Sequence, residues 1–378
     1  MEFLMILRNL FVSALVIWLL TGCTRKFKYN RTDEIPATTW QYVRYNQQGQ
    51  AAIPAEYKGG LNVMWETGSP ESPIGPPSLG AGMLIHSGSK GKLFFYSLNN
   101  HKFLGRLKIR GASQAGVVTV DSLAYFSVGP SRNHLVCLNL FNQKPLWRVS
   151  LKDVTGQPII LENRLYVGSA GGDLHCLDRL TGEEIWQKKI PARSLAGPSL
   201  DDSLVYFPCD NGELRCFNAL TGDSVFTIDL RQPLLSKAAV DDRIYISGAD
   251  GGFFAVDKLN GQVVWKNHFD WPIWTSPAVD DSAVYIADNG GIVRALNKRD
   301  GALLWEFKTG GVVIASPIVV GDFLLLASLD RFVYCLNKRS GILNSRRELK
   351  SEIRFPLVSD GRGIYAVAHD GSIFCFGD

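Results

Sequence analysis

The chain has 378 residues, of which 46% are hydrophobic and 20% charged, and its 37 glycines and 17 prolines make it rich in turn formers. This composition is typical of a globular protein and excludes a disordered chain, a collagen and a polytopic membrane protein. The 40 Lys and Arg residues exceed the 36 Asp and Glu residues by four. A net charge of +4 is too small for the electrostatic footprint of a nucleic-acid-binding protein.

The N-terminus carries the pattern of an export signal. An apolar run over residues 10–20 has the length of a signal-peptide core and is short for a bilayer span. It ends in Leu20-Thr21-Gly22-Cys23, which resembles a bacterial lipobox, in which the cysteine thiol takes a diacylglycerol. The alternative is a buried N-terminal helix, but the run has no amphipathic period and no helix cap. We therefore predict a signal peptide over 1–22 and, over 23–58, a lipidated Cys23 with a tether that anchors the chain to a membrane.

Residues 59–378 repeat with a period of about 40. An apolar residue followed by Asn or Asp recurs at steps of 39 or 40, at Leu98-Asn99, Leu138-Asn139, Leu177-Asp178, Phe217-Asn218, Val256-Asp257, Leu296-Asn297 and Leu336-Asn337. Four residues later a glycine recurs from the third unit onward, as a tight turn with positive φ requires. Eight residues later six of the seven units have a large apolar residue, and the seven positions are Leu107, Trp147, Trp186, Phe226, Trp265, Trp305 and Ser345.

Each unit contains the pattern of four short strands, A to D, joined by turns. In the sixth unit, Asp280-Asp281, Asp288-Asn289-Gly290 and residues 298–301 separate alternating apolar runs. A four-stranded unit repeated every 40 to 45 residues is typical of a β-propeller blade. The eighth unit ends after strand C, and residues 61–68, with Trp65 in the tryptophan position, match the missing strand. The sequence predicts an all-β, eight-bladed propeller whose last blade is closed by the N-terminal strand.

The pattern over residues 166–186, echoed at 245–265 and 285–305, resembles the PQQ-like (pyrroloquinoline quinone) repeat of β-propellers. The resemblance covers about residues 60–378. It implies that the aromatic residue of strand D docks on the next blade. The predicted blade-docking residues are Trp65, Trp147, Trp186, Phe226, Trp265 and Trp305.

The D-to-A linkers vary most between units, and loops on a rigid scaffold carry binding. Three consecutive linkers, residues 190–196, 230–236 and 269–274, hold Arg, Leu and Trp, the residue types that anchor interfaces. We predict a partner-binding surface made of Arg193, Leu195, Leu230, Arg231, Leu234, Leu235, Trp271 and Trp274. The alternative is that these side chains plug the central funnel or pack between blades.

The lipobox, the eight units and the length look like those of outer-membrane protein assembly lipoproteins of the BamB family. In that family the mid-chain linkers meet the periplasmic POTRA domains of the barrel-insertion protein BamA, and by resemblance Arg193, Leu195, Leu230 and Arg231 lie in the matching stretches. The chain departs from the family there, because its linkers are shorter and residues 228–238 contain no acidic residue beyond Asp229.

Five of the seven cysteines, Cys137, Cys176, Cys216, Cys335 and Cys375, precede the apolar-Asn/Asp pair. Other units place Ser97, Ala255 or Ala295 there, so the position favours a small side chain. Equivalent positions in neighbouring blades lie too far apart for a disulfide, which predicts buried free thiols. Cys209, alone in a predicted turn, is a candidate reactive thiol.

The sequence predicts no enzyme, no cofactor and no metal site. Quinone-dependent dehydrogenases of this fold use an adjacent cysteine pair, and no two cysteines here are adjacent. The six histidines have no metal-ligand spacing. The acidic pairs Asp201-Asp202, Asp241-Asp242 and Asp280-Asp281 suit A–B turns, and an acidic ring around the pore is the alternative.

We predict a monomeric, non-enzymatic lipoprotein of the bacterial envelope, on the outer membrane facing the periplasm, that serves as a protein-binding scaffold in outer-membrane protein assembly. Two alternatives stay open. One is a quinoprotein-like propeller that binds a ligand in its funnel, and the other is a surface lipoprotein that binds a glycan or an extracellular protein.

Overall fold

The computed structural model describes residues 52–53, 56–109, 111, 115–129, 134–151, 154 and 156–378. The predicted signal peptide, Cys23 and most of the predicted tether lie outside this part of the chain. The described residues form strands and turns only, arranged as eight antiparallel four-stranded sheets. None of them belongs to a helix of the length and apolarity that crossing a bilayer requires. The predicted all-β, eight-bladed propeller is confirmed.

Seven blades follow the chain in order. Blade 1 contains β3 (Ser78–Gly80), β4 (Met83–Gly88), β5 (Lys92–Ser97) and β6 (Phe103–Lys108), and blade 2 contains β7 (Val117–Val120), β8 (Leu123–Val128), β9 (His134–Asn139) and β10 (Lys144–Ser150). Blade 3 contains β11 (Ile159–Leu161), β12 (Arg164–Gly168), β13 (Asp173–Asp178) and β14 (Glu184–Lys189), and blade 4 contains β15 (Ser199–Leu200), β16 (Leu204–Pro208), β17 (Glu213–Asn218) and β18 (Ser224–Asp229). Blade 5 contains β19 (Ala239–Val240), β20 (Arg243–Ser247), β21 (Gly252–Asp257) and β22 (Val263–His268), and blade 6 contains β23 (Ala278–Val279), β24 (Ala283–Ala287), β25 (Ile292–Asn297) and β26 (Leu303–Lys308). Blade 7 contains β27 (Ile318–Val320), β28 (Phe323–Ala327), β29 (Phe332–Asn337) and β30 (Leu343–Glu348).

The N-terminal strand closes the ring, as the sequence predicts. Blade 8 contains β31 (Val358–Ser359), β32 (Ile364–Val367), β33 (Ser372–Gly377) and, as strand D, β2 (Asn62–Gly68). β2 pairs antiparallel with β33, and Trp65 lies opposite Cys375. A further short strand, β1 (Ala52–Ile53), pairs parallel with β27 at the edge of blade 7, although the sequence assigned these residues to the tether.

The propeller has two different faces. The A strands of successive blades contact one another around the axis, as Ser199 Oγ shows by donating a 2.7 Å hydrogen bond to Ala238 O. Because neighbouring strands in a blade are antiparallel, all A–B and C–D turns lie on one face, here called the turn face. The D–A linkers and the B–C turns lie on the opposite face, here called the linker face. Only the linkers differ strongly in sequence between blades.

The aromatic residues of strand D lie against the C–D turn of the next blade. Trp147 Nε1 donates to Arg179 O at 2.9 Å, and Trp265 Nε1 donates to Lys298 O at the same distance. Trp186 and Trp305 make the equivalent bonds to Ala219 O and Lys338 O. Each ring covers the turn glycine, where a Cβ would clash with the ring, at the pairs Trp147 and Gly182, Trp186 and Gly222, Phe226 and Gly261, Trp265 and Gly301, and Trp305 and Gly341. Trp65 instead stacks on His101, with ring centroids 5.2 Å apart.

Blade 1 corrects the repeat alignment by two residues. Its C–D turn begins at Ser97, whose Oγ accepts hydrogen bonds from the backbone N–H groups of Asn99 and Asn100, in the place where Asp178 acts in blade 3. The strand D position that carries tryptophan elsewhere is therefore Gly105, opposite Phe95, and not Leu107. Likewise Phe95, and not Ser97, corresponds to the cysteine position. The sequence alignment was wrong in this blade because Leu98-Asn99 has the same apolar-Asn pattern as the repeated pair but lies two residues further along the C–D turn.

The acidic A–B turns pair with the following blade. Asp280 forms an ion pair with Lys338 at 2.9 Å. Asp201 lies 3.6 Å from Lys258, and Asp241 forms an ion pair with Lys298. Each lysine belongs to the C–D turn of the next blade, so the carboxylates connect blades. The alternative of an acidic ring is wrong for these three positions, because each carboxylate faces a cation.

The six cysteines of the described chain are free and buried. The candidate reactive thiol of Cys209 is buried, because it packs in the core of blades 2 to 4. Burial raises its pKa to about 12, so the thiol stays protonated at neutral pH.

Candidate functional site

The linker face carries the residues that the sequence singled out, on linkers held rigidly by backbone hydrogen bonds. The linkers over residues 190–199, 230–239, 269–278 and 309–318 align position by position. The carbonyl of the fourth residue accepts a hydrogen bond from the B–C turn that follows, at 2.9 Å from Asp210 N to Arg193 O and 2.8 Å from Ala249 N to Pro233 O. The same bond joins Asn289 N to Pro272 O and Leu329 N to Val312 O, both at 2.9 Å.

The fifth and sixth linker residues point to opposite environments. The fifth residue is buried in all four linkers, at Ser194, Leu234, Ile273 and Val313. The sixth residue is apolar and at least partly exposed, at Leu195, Leu235, Trp274 and Ile314. We call these four side chains the apolar arc. The arc lies on the surface because each linker buries its fifth residue, which turns the side chain of the sixth residue away from the core.

Neighbouring linkers contact each other two residues beyond the arc. Lys237 N donates to Ser276 Oγ at 2.9 Å, and Ser276 N donates to Ser316 Oγ at 2.9 Å. The arc residues Leu235, Trp274 and Ile314 precede these contacts by two residues each. They therefore occupy adjacent places on one surface.

Trp271 extends this surface outward over blade 6. Its indole lies on Gly290 of the B–C turn, where an added Cβ would come within 2.4 Å of the ring. Below that turn, Arg294 forms a buried 2.6 Å ion pair with Asp288 and lies 4.3 Å from the ring centroid of Phe269. Trp271 and Trp274 are nevertheless 51% and 52% exposed. Two large aromatic side chains are thus left in contact with water, and an exposed apolar surface of this kind is typical of an interaction site.

The structure divides the predicted partner-binding residues into two groups. Arg193, Leu195, Arg231, Trp271 and Trp274 are exposed, and Leu235 is partly buried. Arg193 lies 3.8 Å from Asp210, and Arg231 has a positive φ of 60°.

Leu230 and Leu234 do not belong to the surface. They are 6% and 0% exposed and pack in the core of blades 4 and 5. Predicting them as partner contacts is therefore wrong, because the linker uses both side chains to fasten itself to the blades. Ile314 was missed, although its position in the fourth linker matches that of Leu235 and Trp274.

The turn face and the blade interiors offer no comparable site among the described residues. No group of three or more His, Cys, Asp or Glu side chains there is arranged to hold a metal ion. His86 is a buried titratable group, and it stacks on Phe94 with centroids 5.1 Å apart. It lies inside blade 1, away from the arc.

Comparisons with known proteins point to one family and one fold. Residues 131–266 and 210–378 match the family model described as outer membrane protein assembly factor BamB. A protein of that name from Kangiella koreensis is 28% identical over 118 residues, a match that spans 29% of this chain and 30% of that protein.

Solved structures agree on the fold. The crystal structure of BamB from Moraxella catarrhalis is 20% identical, with a TM-score of 0.72, and the match covers 84% of this chain and all of that one. A europium-containing methanol dehydrogenase shares the propeller, with a TM-score of 0.73 and 12% identity, and the match covers 88% of this chain and 89% of that one. The quinohemoprotein alcohol dehydrogenase of Comamonas testosteroni shares it as well, with a TM-score of 0.75 and 11% identity, and that match covers 90% of this chain and 80% of that one. At these identities the likeness is one of fold alone. Since the two family-model matches together span well over half of the chain, the protein belongs to the family described as outer membrane protein assembly factor BamB.

Proposed function

We propose that this protein is a non-enzymatic scaffold of the bacterial envelope that binds a protein partner of the outer-membrane assembly machinery through its linker face. The observation that carries the proposal is the apolar arc with Trp271, a surface of exposed or partly exposed Leu, Trp and Ile side chains on linkers that hydrogen bonds fix to the blades. Aromatic and arginine side chains fixed in this way are the usual anchors of protein interfaces. Family membership supports the role in outer-membrane protein assembly.

The proposed partner is the set of periplasmic POTRA domains of a BamA-type barrel-insertion protein. In the proposed arrangement, Arg193, Leu195, Leu235, Trp271 and Trp274 contact the partner. Lipidation of Cys23 keeps the propeller at the outer membrane, facing the periplasm. A monomeric propeller is sufficient for this role, and neither a cofactor nor a metal ion takes part.

The test is a binding titration of the triple variant Arg193→Ala/Leu235→Ala/Trp271→Ala against purified POTRA domains. The matched control is Asp281→Ala/Arg299→Ala, two exposed positions on the turn face. We expect the triple variant to lose about tenfold or more in affinity, since truncating one anchor typically costs about 2 kcal/mol, and the control to bind as the wild type does.

Two results would contradict the proposal. One is a folded triple variant that binds the POTRA domains as tightly as the wild type. The other is unfolding of the triple variant at the denaturant concentration expected for a core substitution, which would make the three side chains structural. A separate measurement addresses the anchor, because Cys23→Ser should release the protein from the membrane fraction.

A further inference from the structure

Exposed apolar side chains also occur on the outer wall of the propeller, at the turn-face end of the strands D. Blades 5, 6 and 7 each contribute two of them, with exposed fractions between 37% and 68%, at Val263, Val264, Leu303, Leu304, Ile342 and Leu343. We call these six side chains the apolar band. The band and the apolar arc are separate surfaces, because the arc belongs to the linkers that follow the other end of strand D.

A β-bulge in strand D explains why consecutive side chains of the band face solvent. Leu303 lies opposite Leu296 and Trp305 opposite Ala295, so Leu304 is the extra residue of the bulge. A bulge bends its strand and changes the direction of the side chains beside it. Leu303 and Leu304 are therefore both exposed, while the Trp305 ring docks on blade 7. The strands D of blades 5 and 7 have a bulge at the same place.

The residue before the bulge distinguishes blades 5 to 7 from blades 3 and 4. It is apolar in blades 5, 6 and 7, at Val263, Leu303 and Leu343. In blades 3 and 4 the same position holds Glu184 and Ser224. Since two blades of this chain fold with a polar residue there, the packing of a blade does not require an apolar one. The apolar residues of blades 5 to 7 are thus available for contacts outside the blade.

The same part of the propeller is cationic. The C–D turns and strands D of blades 5 to 7 contain nine Lys and Arg against four Asp and Glu, over residues 257–268, 297–308 and 337–348. The equivalent stretches of blades 2 to 4 contain five of each, over residues 139–150, 178–189 and 218–229. The excess of positive charge therefore coincides with the apolar band.

Six of these nine cations are exposed around the band. The other three, Lys258, Lys298 and Lys338, pair with carboxylates of the A–B turns. The exposed six are Lys266, Arg299, Lys308, Arg339, Arg346 and Arg347. Arg339 lies 3.9 Å from the exposed Asp322, a distance at which water and salt weaken the attraction. Cations beside exposed apolar side chains are the combination that binds an anionic phospholipid surface.

We propose that the apolar band and the six cations are a docking surface for an anionic phospholipid bilayer. The outer wall of a ring is convex, so that apolar side chains of neighbouring blades enter the headgroup layer together while the cations contact lipid phosphates. Because the band lies at the turn-face end of strand D, docking directs the linker face away from the bilayer and leaves the apolar arc open to a partner. The inference goes beyond the proposed function and rests on it only for the lipid at Cys23, which holds the propeller near a membrane.

A fluorescent probe on the full-length, membrane-anchored protein tests the docking. Nitrobenzoxadiazole is attached to Leu304→Cys in the band or to Val225→Cys, the bulge residue of blade 4, as the matched control. The two native side chains are similarly exposed, at 50% and 45%. The native cysteines of the described chain are buried and do not compete for the label. Each protein is reconstituted in vesicles of phosphatidylcholine and phosphatidylglycerol that contain a spin-labelled lipid as the quencher.

We expect the spin-labelled lipid to quench the probe at position 304 several-fold more strongly than the probe at position 225. Vesicles of phosphatidylcholine alone should reduce the quenching at position 304 several-fold, because they lack anionic headgroups. In the protein labelled at position 304, Val263→Ser/Leu303→Ser/Leu343→Ser should reduce it as well, since serine is the residue that blade 4 has there. Ile185→Ser/Val225→Ser, on blades 3 and 4, is the control and should leave it unchanged.

Equal quenching at the two positions, or none at either, would overturn the proposal. So would quenching at position 304 that persists without anionic lipid or after the three serine substitutions in the band. If purified POTRA domains, and not vesicles, shift the emission of the probe at position 304, the band is a protein interface and the proposal is wrong. The titration of POTRA binding concerns the linker face, so its failure is distinguishable from a failure of membrane docking.

Discussion

At the scale of single residues, one strand D position joins each blade to the next. The indole of Trp265 fills the space over Gly301 and donates its N–H to Lys298 O at 2.9 Å. Lys298 also pairs with Asp241 of blade 5, so one C–D turn receives two contacts from the preceding blade. Because each blade contacts only its neighbours, such contacts hold the ring together.

Trp265→Ala should therefore lower the free energy of unfolding by about 3 to 5 kcal/mol, since it leaves a cavity between two blades and removes the indole hydrogen bond to Lys298 O, which keeps only its bond from Arg243. Trp274→Ala, which removes an exposed indole, should change it by no more than about 1 kcal/mol. Urea unfolding followed by circular dichroism measures both. Similar losses for the two variants would show that Trp274 packs in a core.

His86 makes blade 1 sensitive to acid. It is fully buried, and its ring stacks on Phe94 and Tyr96. Burial lowers its pKa from the ordinary 6.5 to about 4, against the opposing effects of the Ser87 backbone and the Glu71 charge. The folded protein thus resists protonation of this ring, whereas the unfolded chain accepts the proton near pH 6.5.

The stability that the neutral ring contributes is present above about pH 6.5 and is lost as the pH falls towards 4. The difference in pKa corresponds to roughly 3 kcal/mol. His86→Phe should flatten the stability profile in this range, while the exposed control His268→Gln should keep the wild-type slope. Unfolding free energies at pH 7.5, 5.5 and 4.5 decide the matter. An unaltered slope in His86→Phe would assign the acid sensitivity to other groups.

At the scale of elements, the chain ends build the junction between blades 7 and 8. Blade 8 has no C–D turn of its own, because its strand D is β2. Residues 57–60 take the place of that turn. Asp378 accepts hydrogen bonds from Lys58 N and Gly60 N at 3.0 and 3.1 Å, and Ser345 Oγ donates to Gly59 O at 2.6 Å. Tyr57 packs edge-on against Phe323. The small Ser345 at the tryptophan position leaves room for this segment.

Gly59→Ala should weaken the junction. Gly59 has a φ of 87°, and a Cβ there would lie 2.4 Å from Asn344 Nδ2 and 2.7 Å from the Phe323 ring. We expect a loss of more than about 1 kcal/mol in unfolding free energy. Gly68→Ala in β2 is the control, since its Cβ would meet nothing within 4 Å. Hydrogen exchange of β2 amides should rise in Gly59→Ala alone, and equal effects of the two substitutions would argue against the role of residues 57–60.

At the scale of the whole molecule, the propeller fold is shared with a BamB structure, a methanol dehydrogenase and a quinohemoprotein alcohol dehydrogenase. The fold therefore does not decide between them, and the difference lies in the residues at the axis and on the faces. The chain has no adjacent cysteine pair, and Asp201, Asp241 and Asp280 on the turn face each pair with a lysine.

We expect pyrroloquinoline quinone with Ca²⁺ to leave the melting temperature unchanged, because a ligand stabilises a protein only by binding its native state. Thermal unfolding at increasing quinone concentration, with Ca²⁺ alone as the control, is the measurement. A saturable rise in melting temperature would instead support the quinoprotein-like alternative.

The sequence by itself determined the eight-bladed ring, its closure by residues 62–68 and the strand D aromatics, because a 40-residue period repeats the same local contacts in each unit. Only the tertiary structure decided which linker side chains are exposed. Leu234 and Leu235 are neighbours of one residue type, yet the first is buried and the second borders solvent, because the linker's hydrogen bonds to the B–C turn set the direction of each side chain. The same holds for Cys209, which packs in a core shared by blades 2 to 4, and for the acidic A–B turns, whose lysine partners belong to the next blade.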